Sequence, residues 1–184
     1  EFITRAHDSF LLSATSLRLG LYEPQRSADF SAWSSLKSIH IHFQTWDACT
    51  AVPQFTLIPP PLLECLGVFR GPPVTCVGGQ HVTCFETDNW AVTLASLFTL
   101  RSFSIVCYDC NTPEQQSTFE RMTALTSLRL NTEELFSDSV LPPNLVSLAL
   151  IVKTTSFPVG LLCVLPTLRQ LSLQAPNCNG GVDL

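Results

Sequence analysis

The chain has 184 residues, 46% of them hydrophobic and 14% charged, with a net charge of −5. That length and composition can build a continuous buried core and exclude a disordered chain. Only Lys37 and Lys153 join the arginines, with no basic stripe to neutralise a phosphate backbone, so no nucleic-acid partner is expected.

In chain order, Ala14-Thr-Ser-Leu17-Arg-Leu19 opens a series that recurs as Leu36-Lys-Ser-Ile39-His-Ile41 and Leu63-Glu-Cys-Leu66-Gly-Val68. Pro59-Pro60-Pro61, just before the third unit, permits only an extended stretch or a single turn. Gly71-Pro72-Pro73 then interrupts the series, and Val74–Val77 and Gln80–Phe85 flank Gly78-Gly79. That pattern reads either as a β-hairpin inserted over 70–88, with Gly78, Gly79 and His81 at its tip, or as one more degenerate repeat with 82–87 as its strand. Asp88 to Leu97 starts at a capping residue and spaces Trp90, Leu94 and Leu97 as on a helix.

The series resumes at Leu100-Arg-Ser-Phe103-Ser-Ile105. Thr112-Pro113-Glu114-Gln115 supplies a cap, a first-turn proline and a glutamine three residues after the cap, predicting a helix that buries Phe119 and Met122. Leu125-Thr-Ser-Leu128-Arg-Leu130, Leu145-Val-Ser-Leu148-Ala-Leu150 and Leu168-Arg-Gln-Leu171-Ser-Leu173 complete it. The first places fall at 14, 36, 63, 100, 125, 145 and 168, giving steps of 22, 27, 37, 25, 20 and 23. Five of the six lie within the usual 20–29 of a leucine-rich repeat, and the step of 37 signals an insertion.

The L-x-x-L-x-L unit has a physical reading. Places four and six put apolar side chains on one side of a short strand, and such a strand is stable only when parallel neighbours stack beside it. The chain resembles the leucine-rich-repeat superfamily over about residues 11–175, in an irregular variant similar to the repeats of eukaryotic F-box-type proteins. The resemblance implies an α/β solenoid: a horseshoe with about seven short parallel strands on its concave face, and irregular loops, 3-10 turns and short helices on its convex face. It implies a single domain over 1–184. The Asn or Cys that the family carries at place nine is replaced by Tyr22, Gln44, Gly71, Tyr108, Glu133, Lys153 and Pro176, so no asparagine ladder is expected.

In that architecture places three, five and seven face outward. The expected partner-binding surface combines His40, His42, Phe69, Val106, Asn131 and Ile151, ringed by Arg101, Arg129 and Arg169, because exposed apolar groups beside arginine make a protein-binding hot spot. A column of serines (Ser16, Ser38, Ser102, Ser127, Ser147) runs beside it; such small residues equally serve to let strands stack.

Catalytic and metal chemistry find little support. His40 and His42 share a strand face near Cys65, but a stable site needs three or four fixed ligands, so no metal and no cofactor are expected. Cys107-Tyr-Asp-Cys110 lacks the helix N-terminus of a thioredoxin-type motif. No nucleophile elbow, phosphate loop or dinucleotide fingerprint occurs, and the expected role is binding rather than catalysis. A protein partner is the first expectation, through a substrate-recognition role in a ubiquitin ligase. The second is carbohydrate or another small ligand held by Trp33, Trp46 or Trp90. The longest apolar runs, 145–152 and 157–165, are too short to span a membrane, so no membrane association is expected. Scattered cysteines suggest reduced thiols and a cytoplasmic setting, although their even number leaves disulfides and secretion open. Weak polar caps at both ends suggest either a longer array or end-to-end pairing with a second copy.

Overall fold

A computed structural model of the chain describes residues 13–21, 27–44, 54–71, 74–88, 92–94, 97–106, 113–132, 140–153 and 165–174. The chain forms a mostly parallel β-solenoid with little helix, divided into two compact units, residues 1–100 and 101–184.

The first unit contains β1 (Ser16–Leu21), β2 (Ser27–Asp29), β3 (Ser38–Phe43), β4 (Phe55–Ile58), β5 (Cys65–Phe69), β6 (Val74–Cys76), β7 (Cys84–Thr87) and β8 (Val92–Leu94). The odd-numbered strands pair in parallel as one ladder, and the even-numbered ones as a second. The core lies between them. Ile39, Ile41, Leu66, Val68 and Phe85 come from the first ladder, and Ala28, Phe55, Leu57, Val74 and Cys76 from the second. Phe43 meets Phe55 edge to face across this core, with ring centroids 5.2 Å apart.

In the second unit β9 (Ser102–Val106), β10 (Ser127–Thr132), β11 (Ser147–Val152) and β12 (Gln170–Gln174) form one parallel ladder. The helix α1 (Pro113–Arg121) follows β9, and Phe119 and Met122 are buried as the capping pattern predicts.

Several repeats enter their strands by the same backbone device. The place-one N–H closes a turn onto the carbonyl three residues earlier: Leu36 to Trp33 at 3.1 Å, Leu63 to Pro60 at 3.2 Å, Leu125 to Met122 at 3.1 Å and Leu168 to Leu165 at 3.2 Å. The next two N–H groups then share one carbonyl of the preceding coil. Lys37 and Ser38 both donate to Thr15 O (2.9 and 3.1 Å), and Glu64 and Cys65 to Lys37 O (2.8 and 2.9 Å). In the second unit Thr126 and Ser127 donate to Arg101 O, both at 3.0 Å, and Arg169 and Gln170 to Val146 O at 2.9 and 3.0 Å.

The apolar register is the expected one: places four and six point inward on every inner strand, and places three, five and seven outward. Four expectations are corrected. No hairpin is inserted over 70–88: β6 pairs with β4 and β8, whereas β7 pairs with β5, so Val74–Cys76 and Cys84–Thr87 belong to different ladders. Val82 takes place one, its N–H closing on Gly79 O at 3.2 Å, and splits the step of 37 into 19 and 18. Among the described residues the front strands therefore number four in each unit rather than about seven in all. Among the described residues after Asp88, Leu97–Thr99 form a 3-10 turn and 92–94 the strand β8, where the spacing predicts a helix. Its β-branched Val92 and Thr93 suit a strand, and parallel pairing with β6 outweighs the helical spacing. The back of the first unit is thus a second sheet rather than loops and short helices.

The end strands are covered less well. Leu17 and Leu19 of β1, and Leu171 and Leu173 of β12, are half-buried where their inner-strand equivalents are buried. The segments 1–12 and 175–184, on which the expectation of end pairing rests, lie outside the described residues, as do Tyr22, Tyr108, Glu133 and Pro176 of the place-nine column.

At the end of β5 the chain must turn sharply. Arg70 adopts a left-handed φ of 55°, and its N–H bonds both Asp88 carboxylate oxygens at 2.8 Å. Gly71 then packs so closely that a Cβ there would sit 2.6 Å from Phe43 Cδ2, in a ring held by the core. Gly71→Ala should therefore destabilise the chain by about 1–3 kcal/mol. Gly20→Ala, whose Cβ would meet only the exposed Gln44 side chain at 3.3 Å, should change stability by about 0.5 kcal/mol or less. Urea unfolding of the two variants checks this, and equal losses would refute the packing argument.

Burial raises the Cys76 thiol from its ordinary value of 9.0 to about 11. A folded-state value above the unfolded one favours the native state below pH 9, and that share of stability is lost as pH rises towards 11. Wild type should lose stability more steeply than Cys76→Ala across this window in pH-dependent urea unfolding, and parallel curves would contradict it.

Candidate functional site

On the outward side of the first unit, parallel pairing arranges the front strands as rows. Ser38, Cys65 and Cys84 form one row, His40, Gly67 and Glu86 the next, and His42 and Phe69 a third. Arg18 extends the second row and Gly20 the third on β1.

Gly67 organises this face. It sits beside His40 in register, and a Cβ there would lie 2.9 Å from His40 Nδ1 and 3.0 Å from Phe69 Cε2. The missing side chain lets the His40 ring lean over β5, where Nε2 lies 4.0 Å from Cys65 Sγ. His42 stacks on Phe69 with centroids 4.6 Å apart and planes 16° from parallel, and His40 flanks the same ring at 6.4 Å and 25°. Phe69 and His40 are half-buried and His42 is exposed. The outcome is a flat aromatic surface whose rim carries imidazole nitrogens able to donate or accept hydrogen bonds.

The thiol beside His40 is not an activated nucleophile. Interaction with Cys84, burial and the nearby Glu86 carboxylate push the Cys65 thiol well above the ordinary cysteine range, and a hydrogen bond with Ser38 only partly opposes them. Cys65 therefore stays protonated at neutral pH, which removes the thiolate that a cysteine–histidine mechanism needs. Among the described residues no group of three His, Cys, Asp or Glu side chains is placed to hold a metal ion.

The remaining expected site residues fall in separate places. In the second unit Asn131 lies between Val106 and Ile151 in one row, and Arg129 between Ser104 and Ala149 in the next. Val106 and Arg129 are exposed, and Asn131 and Ile151 half-buried. Arg101 and Arg169 do not ring this row. They occupy place two at the strand entries, so Arg101 stands five residues before Val106, about 16 Å along an extended strand. Ser102, Ser127 and Ser147 form a half-buried row at place three.

Gly78, Gly79 and His81 line a pocket of about 250 Å³ in the first unit, facing Pro59, Pro60 and Pro61. Gly78 and Gly79 adopt φ of 100° and 53°, the positive values a tight turn requires. Trp33 is buried and packs edge to face on Phe30 at 5.8 Å, which removes it as an exposed sugar platform. Trp46, Trp90, Cys107 and Cys110 lie outside the described residues.

Cys84 and Glu86 were missing from the sequence-derived face because their strand was read as a hairpin arm. The signal was present: Val82, Phe85 and Thr87 occupy places one, four and six. Comparison with protein-family models, curated proteins and solved structures finds no match, so the leucine-rich-repeat resemblance rests on the repeat pattern itself.

Gly67→Ala should displace the two rings nearest to it while leaving the core in place. The expected result is a clear shift of the His40 and His42 imidazole signals by NMR, with an unfolding free energy lowered by about 1 kcal/mol or less. Unchanged imidazole signals would show that the glycine does not position this face.

Proposed function

We propose that the chain is an irregular leucine-rich-repeat array that binds a protein partner through the outward face of its front strands, centred in the first unit on His40, His42 and Phe69. The observation that carries this reading is the stack of His42 on Phe69 on a surface the core does not use. An aromatic ring that is rigid, only half-buried and edged by hydrogen-bonding groups is the kind of anchor that dominates binding energy at protein interfaces. The row Val106–Asn131–Ile151 beside Arg129 offers a second anchor of similar chemistry in the other unit.

In its finer form the proposal makes the array the substrate-recognition part of a ubiquitin-ligase receptor, acting in the cytoplasm as a binding protein rather than an enzyme. The unbridged thiols of Cys65, Cys76 and Cys84 suit a reducing compartment. Among the described residues no helix is long and apolar enough to cross a membrane. Carbohydrate binding is the weaker reading, with buried Trp33 no longer supporting it.

Phe69→Ala should weaken a partner isolated on the intact chain by at least about tenfold, as expected for an interface anchor. Circular dichroism should remain unchanged. Arg129→Ala tests the second unit in the same assay. Partner affinity unmoved by either variant would remove the front face from the interface, and glycan-array binding abolished by Phe69→Ala would turn the reading to carbohydrate.

A further inference from the structure

Cys65 and Cys84 stand directly opposite one another on neighbouring parallel strands. Both are half-buried on the outward face and neither is bridged. The spacing of adjacent strands is about 4.8 Å, inside the range of Cα separations that a disulfide spans. Their side chains point the same way, since both occupy place three of strands paired in register.

We propose that Cys65 and Cys84 are a thiol–disulfide exchange site, closing to a reversible disulfide between two coils when the chain meets a low-molecular-weight disulfide. One cysteine thiolate attacks a sulfur of the external RS–SR, forming a mixed disulfide and releasing RS⁻, which takes up a proton. The second cysteine, after losing its proton, attacks the protein sulfur of the mixed disulfide. The Cys65–Cys84 bond forms and a second RS⁻ leaves. The protein pair gives up two electrons and two protons, and the external disulfide becomes two thiols.

The neighbours explain why this site closes slowly and selectively. Interaction with Cys84, burial and the Glu86 carboxylate disfavour the Cys65 thiolate, so the pair resists stray alkylation at neutral pH and exchanges faster as pH rises. Oxidation also withdraws the Cys65 S–H from His40, whose Nε2 lies 4.0 Å away. The redox state of the pair is thereby coupled to the imidazole that flanks Phe69. The disulfide itself does not depend on the binding role proposed for that face.

Incubating the folded chain with glutathione disulfide at pH 8, quenching with an alkylating agent and digesting with trypsin tests this. Cleavage after Lys37, Arg70 and Arg101 places Cys65 in peptide 38–70 and Cys84 in peptide 71–101. The expected product is the two peptides linked, with fragmentation placing the bond between Cys65 and Cys84 rather than at Cys49 or Cys76. Dithiothreitol should reverse it, and Cys84→Ser should abolish it. Recovery of the two peptides unlinked while circular dichroism reports a folded chain would overturn the proposal. So would a link that forms only in denaturant.

Discussion

The repeated fork, in which one carbonyl accepts two successive N–H groups of the next coil, is the constraint from which the rest of this solenoid follows. It recurs at Thr15, Lys37 and Glu64 in the first unit and at Arg101, Thr126 and Val146 in the second. Each bond contributes only about 0.5–1.5 kcal/mol net, yet a buried strand entry without partners would cost more than that. The fork fixes where each strand begins relative to its neighbour. Register then propagates residue by residue, and the apolar places fall inward without further instruction. It also explains the tolerance for uneven steps. The chain between forks can be 27 residues or 19, provided that it returns to the same carbonyl.

The fork does part of what an asparagine ladder does elsewhere. Place nine lacks asparagine, but its backbone still links coils: Gln44 N–H donates to Leu21 O at 2.8 Å and Lys153 N–H to Thr132 O at 3.2 Å. Short side chains near the strand entries add to this. Thr126 Oγ1 reaches Arg101 O at 3.2 Å, Asn144 Nδ2 reaches Thr123 O at 2.9 Å, and Thr167 Oγ1 reaches Leu145 O at 2.8 Å. The Lys37–Glu64 ion pair at 3.0 Å lies in the same column, but both groups are more than half exposed and contribute at most about 1 kcal/mol. The polar links between coils are thus carried by backbone and small polar groups rather than by ion pairs, alongside the apolar core.

Much of this was legible in the sequence because the inward places follow a strict rule. Ile39 and Ile41, Leu128 and Leu130, and Leu148 and Leu150 announce both strand and register. The helix at Pro113 was equally clear, since its cap and first-turn proline act locally. The extra coil was legible only as the alternative to a hairpin, because Val82, Phe85 and Thr87 replace the leucines of their places, and Gly78-Gly79 gives the same local signal for a tight turn inside a coil as for a hairpin. The back sheet was hidden for a different reason. Strands of three or four residues such as β2 and β6 carry almost no period of their own and are stabilised only by neighbours one coil away. Arg101 and Arg169 were misplaced because an L-x-x-L-x-L motif does not say where the strand begins within it.

The outward face is where sequence and fold part company, and that separation bears on function. Core demands set places four and six, and the fork is indifferent to side chain, so places three, five and seven are left to vary. In the second unit they hold mostly small or polar residues, with Arg129 beside the row Val106, Asn131 and Ile151. On β3, β5 and β7 of the first they hold two histidines, a phenylalanine, two cysteines, a glutamate and a serine around Gly67. A glycine there weakens a strand by leaving backbone unsheltered, unless a neighbour fills the space. His40 fills it, and in doing so meets Cys65 and flanks Phe69. Chemistry-bearing residues gathered on a face that packing does not need are the feature on which the proposed binding role rests.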